Sequence, residues 1–472
     1  MSSTAQLSAR DRIVTLLDDN SFVEVGALVT KRSTDFNLMQ KEAPSDGVMT
    51  GYGVISDSLV YVYSQDAKVL NGTIGEMHAK KIVHLYNMAL KVGAPVIALI
   101  DCAGLRLEEA TDALEGFGEV FAKQAEASGV IPQITAVFGT CGGGSAISAS
   151  LSDFVFMEEN NAKLFVNAPN TIDHNYTGKC DTAAASFMAQ SGVADFVGKD
   201  EETVLNDIRN LIALLPSNNE DDAIGVEEED DLNREVPAFA SEIADVTLAL
   251  KDISDQGCFM EVKAEYAKEM VTALIRLNGM TVGAIANRTA IVDEKGKTCE
   301  TFAPVLTTAG CYKAESFVKF CNSFHIPVLT LTNVTGFGTS LEDAKSVGIA
   351  AAKLTYAFSN AVVPKINLIT GKAYGSAYVV MNSKAIGADL VFALEQAEIG
   401  TMDADLAAQI MYPDADLETR KEKAATYQAL AQSATSAAKR GYVDAILSPE
   451  SVRKQLIYGF EMMYSKRVTR PF

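Results

Sequence analysis

Two segments of this 472-residue chain occur twice, and the same distance along the chain separates both pairs of copies. Pro95-Val-Ile-Ala-Leu-Ile-Asp-Cys-Ala-Gly104 resembles Pro327-Val-Leu-Thr-Leu-Thr-Asn-Val-Thr-Gly336. Pro132-Gln-Ile-Thr-Ala-Val-Phe-Gly139 resembles Pro364-Lys-Ile-Asn-Leu-Ile-Thr-Gly371. One repeat offset relates both pairs, since 327 − 95 equals 364 − 132. A constant offset with matching proline and glycine positions predicts a duplicated domain.

The first repeated segment contains a continuous apolar run, Pro95 to Ile100, bounded by turn residues. This pattern is typical of a strand that is buried on both faces, as in a parallel sheet covered by helices. Strand-like and helix-like patterns alternate along the rest of the chain, which predicts an α/β fold for both copies.

An acidic stretch separates the two copies. Residues 220–231 contain eight carboxylates and no lysine or arginine, and repulsion at this density opposes packing. We therefore predict an N-terminal domain over residues 1–217, an acidic linker over residues 218–237 and a C-terminal domain over residues 238–472. The alternative is that the acidic stretch docks a partner.

Charge and residue usage exclude several classes of protein. A formal net charge of −21 argues against a nucleic-acid partner, which would need a basic surface. The seven cysteines form no CxxC pair and the four histidines no HExxH motif, so we predict no metal site. Because neither a signal peptide nor an apolar run of about 18 residues is present, we predict a cytoplasmic protein without membrane insertion.

In each copy, the second repeated strand ends in a turn of small residues. The turns read Gly139-Thr-Cys-Gly-Gly-Gly-Ser-Ala146 and Gly371-Lys-Ala-Tyr-Gly-Ser-Ala-Tyr378. Small residues let a ligand approach the backbone, and free amide N–H groups at a helix start stabilise an oxyanion. We interpret the turns as two oxyanion sites; the alternative is that the glycines only permit tight strand–helix packing.

A second candidate chemistry lies in the charged residues that follow Asp101. Arg106, Glu108, Glu109 and Glu119 fall within a short stretch. Paired carboxylates of this kind could act as acid and base in a CoA-binding hydratase or isomerase. The alternative is a solvated helix face.

Further motifs are distributed over nearly the whole chain. They are Arg10-Asp-Arg-Ile13, Asp46-Gly-Val-Met-Thr-Gly-Tyr-Gly53, Gly75-Glu-Met-His-Ala-Lys-Lys81, Ala127-Ser-Gly-Val-Ile-Pro-Gln133, Leu215-Pro-Ser-Asn-Asn219 and Lys372-Ala-Tyr-Gly-Ser-Ala-Tyr378. With these motifs the sequence resembles the carboxyltransferase (beta) subunits of biotin-dependent acyl-CoA carboxylases, such as those of propionyl-CoA and acetyl-CoA carboxylase. It is also similar to the alpha subunits of biotin-dependent acyl-CoA decarboxylases.

The resemblance implies two crotonase-like ββα-superhelix domains, with a CoA thioester bound by the N-terminal domain and carboxybiotin by the C-terminal domain. It implies that the amides of Gly143 and Gly144 stabilise the thioester enolate, and that those of Ser376 and Ala377 polarise the biotin ureido carbonyl. The residues that it places around the substrates are Gly104, Arg106, Gly142, Gly336, Gly375, Tyr378 and Val379.

The resemblance also implies the partners. Because the chain lacks the AMKM motif of biotin attachment and any ATP-binding loop, biotin is expected on a separate carrier protein, carboxylated by a biotin carboxylase subunit. Members of the family form ring-like hexamers, built as trimers of dimers, and we expect a homo-oligomer of this kind.

The sequence departs from the family pattern at several positions. Asp101-Cys-Ala-Gly-Leu-Arg106 replaces the family's Asp-Ser-Gly-Gly-Ala-Arg, Gly142 replaces alanine, Ser376 replaces glycine, and Val379 replaces a frequent aspartate. These departures concern substrate choice and turnover. Two alternatives to a carboxylase subunit therefore stay open: a decarboxylase alpha subunit that runs the transfer in reverse, and a CoA-binding subunit of reduced activity.

Overall fold

Each copy folds around its own eight-stranded sheet. In the computed structural model, which describes residues 6–172, 180–221 and 230–466, the chain divides into two units, residues 1–222 and 223–472.

The first unit alternates strands and helices, as predicted. Its strands are β1 (Val23–Val25), β2 (Val48–Ile55), β3 (Ser58–Gln65), β4 (Val96–Cys102), β5 (Gln133–Gly142), β6 (Phe154–Glu158), β7 (Lys163–Phe165) and β8 (Phe196–Gly198). Its α-helices are α1 (Ala9–Leu16), α2 (Glu76–Val92), α3 (Ala110–Ala127), α4 (Gly144–Ser150), α5 (Ala185–Gln190) and α6 (Glu201–Ile212). Short 3₁₀ turns connect several of these elements, among them Ser45–Gly47 and Leu107–Glu109.

The second unit repeats this pattern with additional elements. Its strands are β9 (Phe259–Val262), β10 (Met270–Leu277), β11 (Met280–Asn287), β12 (Ala290–Val292), β13 (Thr298–Thr301), β14 (Val305–Leu306), β15 (Val328–Val334), β16 (Gly336–Phe337), β17 (Lys365–Tyr374), β18 (Leu390–Leu394), β19 (Glu398–Gly400) and β20 (Ala445–Leu447). Its α-helices are α7 (Phe239–Glu242), α8 (Val246–Ile253), α9 (Thr308–Ser323), α10 (Leu341–Asn360), α11 (Gly375–Val380), α12 (Ala404–Met411), α13 (Leu417–Tyr427), α14 (Ala434–Lys439) and α15 (Val452–Met463).

The two sheets have the same topology. The first has the strand order β1-β2-β3-β4-β5-β6-β8 with β7 paired to β5, and the second has β9-β10-β11-β15-β17-β18-β20 with β19 paired to β17. In both sheets the first three strands are antiparallel and the later ones join in parallel. Strand β15 begins and ends one repeat offset after β4, and β17 does the same relative to β5. The predicted duplication is confirmed.

The central strands are the most deeply buried elements. Six of the seven residues of β4 are buried, as expected for a parallel strand covered on both faces. On one face, apolar side chains of α2 and α3 pack on the sheet and form the core of the first unit. Helix α2 ends where Gly93 adopts a left-handed conformation with φ 65°, a common helix stop.

Both described ends of the predicted acidic linker contact the unit that they adjoin. Asn218 Nδ2 donates to Gly93 O at 2.9 Å in the first unit. In the second unit Val236 is fully buried, and Arg234 Nη1 donates to Asp252 O at 2.8 Å. Residues 222–229, which hold four of the eight carboxylates, lie outside the described residues, and the extent of the linker stays a prediction.

No helix within residues 6–172, 180–221 and 230–466 combines the length and the apolar character that crossing a membrane requires. In the same part of the chain, no group of three or more histidine, cysteine or acidic side chains is arranged to hold a metal ion.

Candidate active site

The glycine turn of the first unit lies where β5 passes into α4. Gly143 joins the two elements with φ 60° and ψ −123°, a backbone conformation that residues with a Cβ atom rarely adopt. A Cβ atom built on Gly143 would meet no atom within 4 Å. The turn therefore faces open space, as a ligand-binding backbone must.

The Gly143 amide corrects one of our predictions. Its N–H donates to Phe165 O at 2.9 Å, and this bond continues the parallel ladder in which Gly142 is paired with Phe165. A donor that is bonded within the sheet is not free for an oxyanion. The predicted role of the Gly143 N–H is therefore wrong for this conformation, while its unusual backbone geometry remains essential to the turn.

The free amides of the turn lie one residue further along. The first N–H groups of an α-helix have no acceptor within the helix, and here these belong to Gly144 and Ser145. The first amide of the helix with a local acceptor is that of Ala146, which donates to Gly143 O at 3.1 Å. Gly144 and Ser145 are thus the pair of amides that the first unit can present.

The turn of the second unit has a similar φ at its central glycine. Gly375 has φ 57° and is the counterpart of Gly143 at the repeat offset. Ser376 and Ala377 are then the counterparts of Gly144 and Ser145. The Ser376 side chain is exposed, whereas Ala377 is buried with 1% exposure.

The loop after β4 lies directly against the first turn. Gly104 has φ 113°, and a Cβ atom there would lie 3.2 Å from Gly142 O. Gly104 O accepts the N–H of Ile74 at 2.9 Å, which ties the loop to the start of α2. The structure thus brings together Gly104 and Gly142, two of the predicted substrate-binding residues, beside the free amides.

In the second unit the predicted residues also converge. Helix α11 packs against strand β16, so Gly336, the first residue of β16, lies near the turn at Gly375. Tyr378 packs against the adjoining apolar cluster, and burial raises the pKa of its phenol. Val379 is 37% exposed and is accessible to a ligand.

Arg106 lies inside the first unit. The side chain is 1% exposed, and Nη1 donates to Asp46 Oδ1 at 2.6 Å and to Glu109 Oε1 at 2.8 Å. Nη2 donates to Thr73 O at 2.8 Å. Burial raises the pKa of Asp46, an effect that the adjacent guanidinium opposes. These contacts hold the loop of Gly104 in place, and direct contact between Arg106 and substrate stays a prediction.

Replacing Arg106 by methionine is expected to destabilise the protein by about 3–5 kcal/mol, because Asp46 and Glu109 would remain buried without their cation. Chemical unfolding measures the change. Arg10→Met is the matched control: the Arg10 side chain is 57% exposed and pairs with Glu24 at 3.1 Å, and a surface pair contributes at most about 1 kcal/mol. Equal effects of the two substitutions would contradict a stabilising buried cluster.

The carboxylates proposed for a hydratase or isomerase are placed differently from one another. Glu109 is held by Arg106 in the interior, Glu108 pairs with Lys41 at 3.0 Å near the surface, and Glu119 is exposed on α3. The structure does not show them as one acid–base pair.

Comparison with known proteins decides between these chemistries. The family model for the carboxyl transferase domain matches residues 2–472. The chain belongs to the carboxyl transferase domain family. It is 37% identical to the methylmalonyl-CoA decarboxylase alpha subunit of Propionigenium modestum, over 99% of this chain and 92% of that one. It is also 37% identical, with the same coverage, to the propionyl-CoA carboxylase beta chain of Roseobacter denitrificans.

A solved structure agrees over the same length. The transcarboxylase 12S structure with bound methylmalonyl-coenzyme A matches with a TM-score of 0.91 and 34% identity, covering 99% of this chain and 92% of that one. The crotonase-like fold and the activity class, a biotin-dependent acyl-CoA carboxyltransferase, are therefore confirmed. The hydratase or isomerase alternative is set aside.

The sequence-based prediction missed Ser145 as an amide donor. The repeat contains the missing signal: moving back by the repeat offset from Ser376 and Ala377 leads to Gly144 and Ser145, not to Gly143 and Gly144. Cys102, whose sulfur contacts Ser145, was likewise noticed only as a departure from the family pattern.

Proposed function

We propose that this carboxyltransferase moves a carboxyl group between carboxybiotin and the α-carbon of propionyl-CoA, with methylmalonyl-CoA as the carboxylated partner. The observation that supports it best is the presence of two turns of like geometry at equivalent positions, Gly143–Ser145 and Gly375–Ala377. Both reactants form an oxyanion during the transfer: the acyl-CoA forms a thioester enolate, and biotin forms a ureido anion. The two turns provide one pair of amide donors for each oxyanion.

In the first unit, we assign the amides of Gly144 and Ser145 to the thioester oxygen. As the α-carbon gives its proton to the ureido nitrogen of biotin, or its carboxyl group to that nitrogen in the reverse direction, negative charge accumulates on that oxygen. Preorganised N–H donors bind the charged oxygen more strongly than the neutral carbonyl, and one such donor typically lowers the barrier by about 2.7–4 kcal/mol. Gly104 and Gly142 let the segments around these amides pack closely, since a Cβ atom on Gly104 would lie 3.2 Å from Gly142 O and one on Gly142 would lie 3.2 Å from the Phe165 ring.

In the second unit, we assign the amides of Ser376 and Ala377 to the ureido carbonyl of biotin. Carboxybiotin, when bound there, would supply the carboxyl group, and biotin would accept it in the reverse direction. The exposed Ser376 side chain leaves the amide able to donate, but it occupies space that the family's glycine leaves open. Gly336, Gly375 and Tyr378 shape the surface around this turn.

The direction of carboxyl transfer, and with it the choice between carboxylase and decarboxylase, stays open because relatives with both names are 37% identical to the chain. For a carboxylase, we expect separate biotin carboxylase and biotin carrier subunits; for a decarboxylase, a carrier and a membrane subunit would replace them. By analogy with the hexamer reported for transcarboxylase 12S, we expect a hexamer. The cytoplasmic location stays a prediction.

The test is to incubate the purified protein with methylmalonyl-CoA and free biotin, and to measure the release of propionyl-CoA. Biotin-dependent release would support the proposal, and malonyl-CoA in a parallel reaction would test the acyl preference. Absence of turnover with retained binding of the thioester would instead favour a subunit of reduced activity. Loss of binding would contradict the assignment of the first unit.

Val379→Asp is expected to change the acyl preference, because the family resemblance places residue 379 near the acyl group and a carboxylate would replace an apolar side chain that is 37% exposed. We expect the ratio of kcat/KM values for propionyl-CoA and acetyl-CoA to change by about ten-fold, which corresponds to about 1.4 kcal/mol. Val197→Asp, on the edge strand β8 of the first unit and 39% exposed, is the control for added charge. Unchanged ratios for Val379→Asp would contradict the prediction.

A further inference from the structure

A buried sulfur atom lies between the loop of Gly104 and the glycine turn of the first unit. Cys102 is the last residue of β4 and is 0% exposed. The Gly104 N–H donates to its Sγ at 3.3 Å, and the Ser145 hydroxyl donates to the same Sγ at 3.1 Å. The sulfur therefore links the loop of Gly104 to the first turn of α4.

The environment of Cys102 favours its sulfur as a hydrogen-bond acceptor. Burial raises the pKa of its thiol, so the sulfur stays protonated and neutral at pH 7. Ser145 is only 2% exposed, and its hydroxyl points away from solvent toward the sulfur. Because an unpaired buried hydroxyl costs free energy, this contact favours one position of Ser145.

We propose that Cys102 is a positioning residue for carboxyl transfer: its sulfur fixes Ser145, and with it the amide pair, relative to Gly104. The inference rests on the proposed function, in which the amides of Gly144 and Ser145 hold the thioester oxygen. Such donors act only when they are placed accurately, since a displacement of about 1 Å can lower the rate by about 100-fold.

The second unit lacks this link. At the repeat offset, Val334 is the counterpart of Cys102 and Ala377 is the counterpart of Ser145. Both are buried, with exposures of 0% and 1%, and neither side chain can form a hydrogen bond. The sulfur link is therefore a feature of the acyl-CoA side alone.

The first test compares the steady-state kinetics of the full-length protein and its variants, with methylmalonyl-CoA and biotin as substrates. Cys102→Ala and Ser145→Ala are each expected to lower kcat by about ten-fold, while the KM for the thioester changes less than about two-fold. Cys102→Ser supplies another acceptor and is expected to restore most of kcat. A merely structural role would lower the melting temperature without this division between kcat and KM.

Cys141→Ala is the matched control. Cys141 lies on the neighbouring strand, paired in register with Cys102, and is also 0% exposed. Cys141 belongs to the segment that forms the turn, but among the described residues no hydrogen bond joins its sulfur to Gly104 or Ser145. The substitution removes an equally buried thiol, and so reproduces the packing loss alone. If Cys102→Ala and Cys141→Ala have equal kcat values, the inference is overturned.

A double-mutant cycle identifies the contact. If Cys102 and Ser145 act through their mutual bond, the double variant Cys102→Ala with Ser145→Ala is expected to have the kcat of either single variant. If the double variant instead lowers kcat by the product of the two single effects, the proposed link is overturned.

Deuterium exchange separates failure of this inference from failure of the proposed function. Cys102→Ala is expected to increase amide exchange in the peptide covering α4, whereas Cys141→Ala is not. If the unmodified protein shows no biotin-dependent turnover but this difference in exchange is found, the proposed function fails and the positioning contact stands. If the two variants exchange alike, the positioning contact is refuted.

Discussion

Gly143→Asp is expected to lower biotin-dependent release of propionyl-CoA from methylmalonyl-CoA by at least about 100-fold, the effect of losing an oxyanion donor. Two causes act together. The backbone angles of Gly143, φ 60° and ψ −123°, are strained for any residue with a Cβ atom, so the amides of Gly144 and Ser145 would shift. The new carboxylate would also occupy the open space beside them and repel the enolate.

The control for strain is Gly296→Asp. Gly296 also has a positive φ, 75°, with no atom within 4 Å of a Cβ built on it, but it lies in the connection between β12 and β13. This variant is expected to retain near-normal transfer, and Gly143→Ala would separate strain from charge. Near-normal activity of Gly143→Asp would show that the turn of the first unit does not bind the thioester oxygen.

Repetition made the sheet predictable. The buried strands β4 and β15 have predominantly apolar sequences, each preceded by a proline, and the constant repeat offset established their equivalence. It also revealed the matching glycines Gly139 and Gly371, and only the structure shows why both positions require glycine. A Cβ atom on Gly139 would lie 2.1 Å from Asp101 Oδ1, and one on Gly371 would lie 2.6 Å from Asn333 Oδ1. In both units a side chain from the neighbouring strand of the sheet fills the space that the glycine leaves.

Hydrogen bonds between residues that are distant in sequence could not be predicted. Nothing near Gly143 indicates that its N–H is bonded to Phe165, because β7 has only three residues and no distinctive pattern. Arg106 shows the same limit: its partner Asp46 lies 60 residues earlier, so the buried ion pair is not visible in the local sequence, and contact between Arg106 and substrate stays a prediction. Local sequence does not encode which charges the fold brings into its interior.

Ala377→Pro is expected to abolish transfer to and from biotin while the binding of CoA thioesters is retained. Ala377 is the third residue of α11, and proline is tolerated in the first turn of a helix because no intrahelical bond is lost there. The substitution removes the N–H that we assign to the ureido carbonyl. The added ring atoms, at a position with 1% exposure, cost about 1–3 kcal/mol of stability.

The measurement combines turnover with the Kd of a CoA thioester for the same variant. Ala377→Gly keeps the N–H and removes only the methyl group, so it is expected to remain active and isolates the donor from the packing. A variant Ala377→Pro that transfers the carboxyl group at the rate of Ala377→Gly would contradict the second amide site. If Ala377→Pro is inactive and its thioester Kd is unchanged, while Gly143→Asp impairs the thioester side, the two turns serve different reactants. The duplicated sequence would then correspond to two copies of one turn, each of which binds its own reactant.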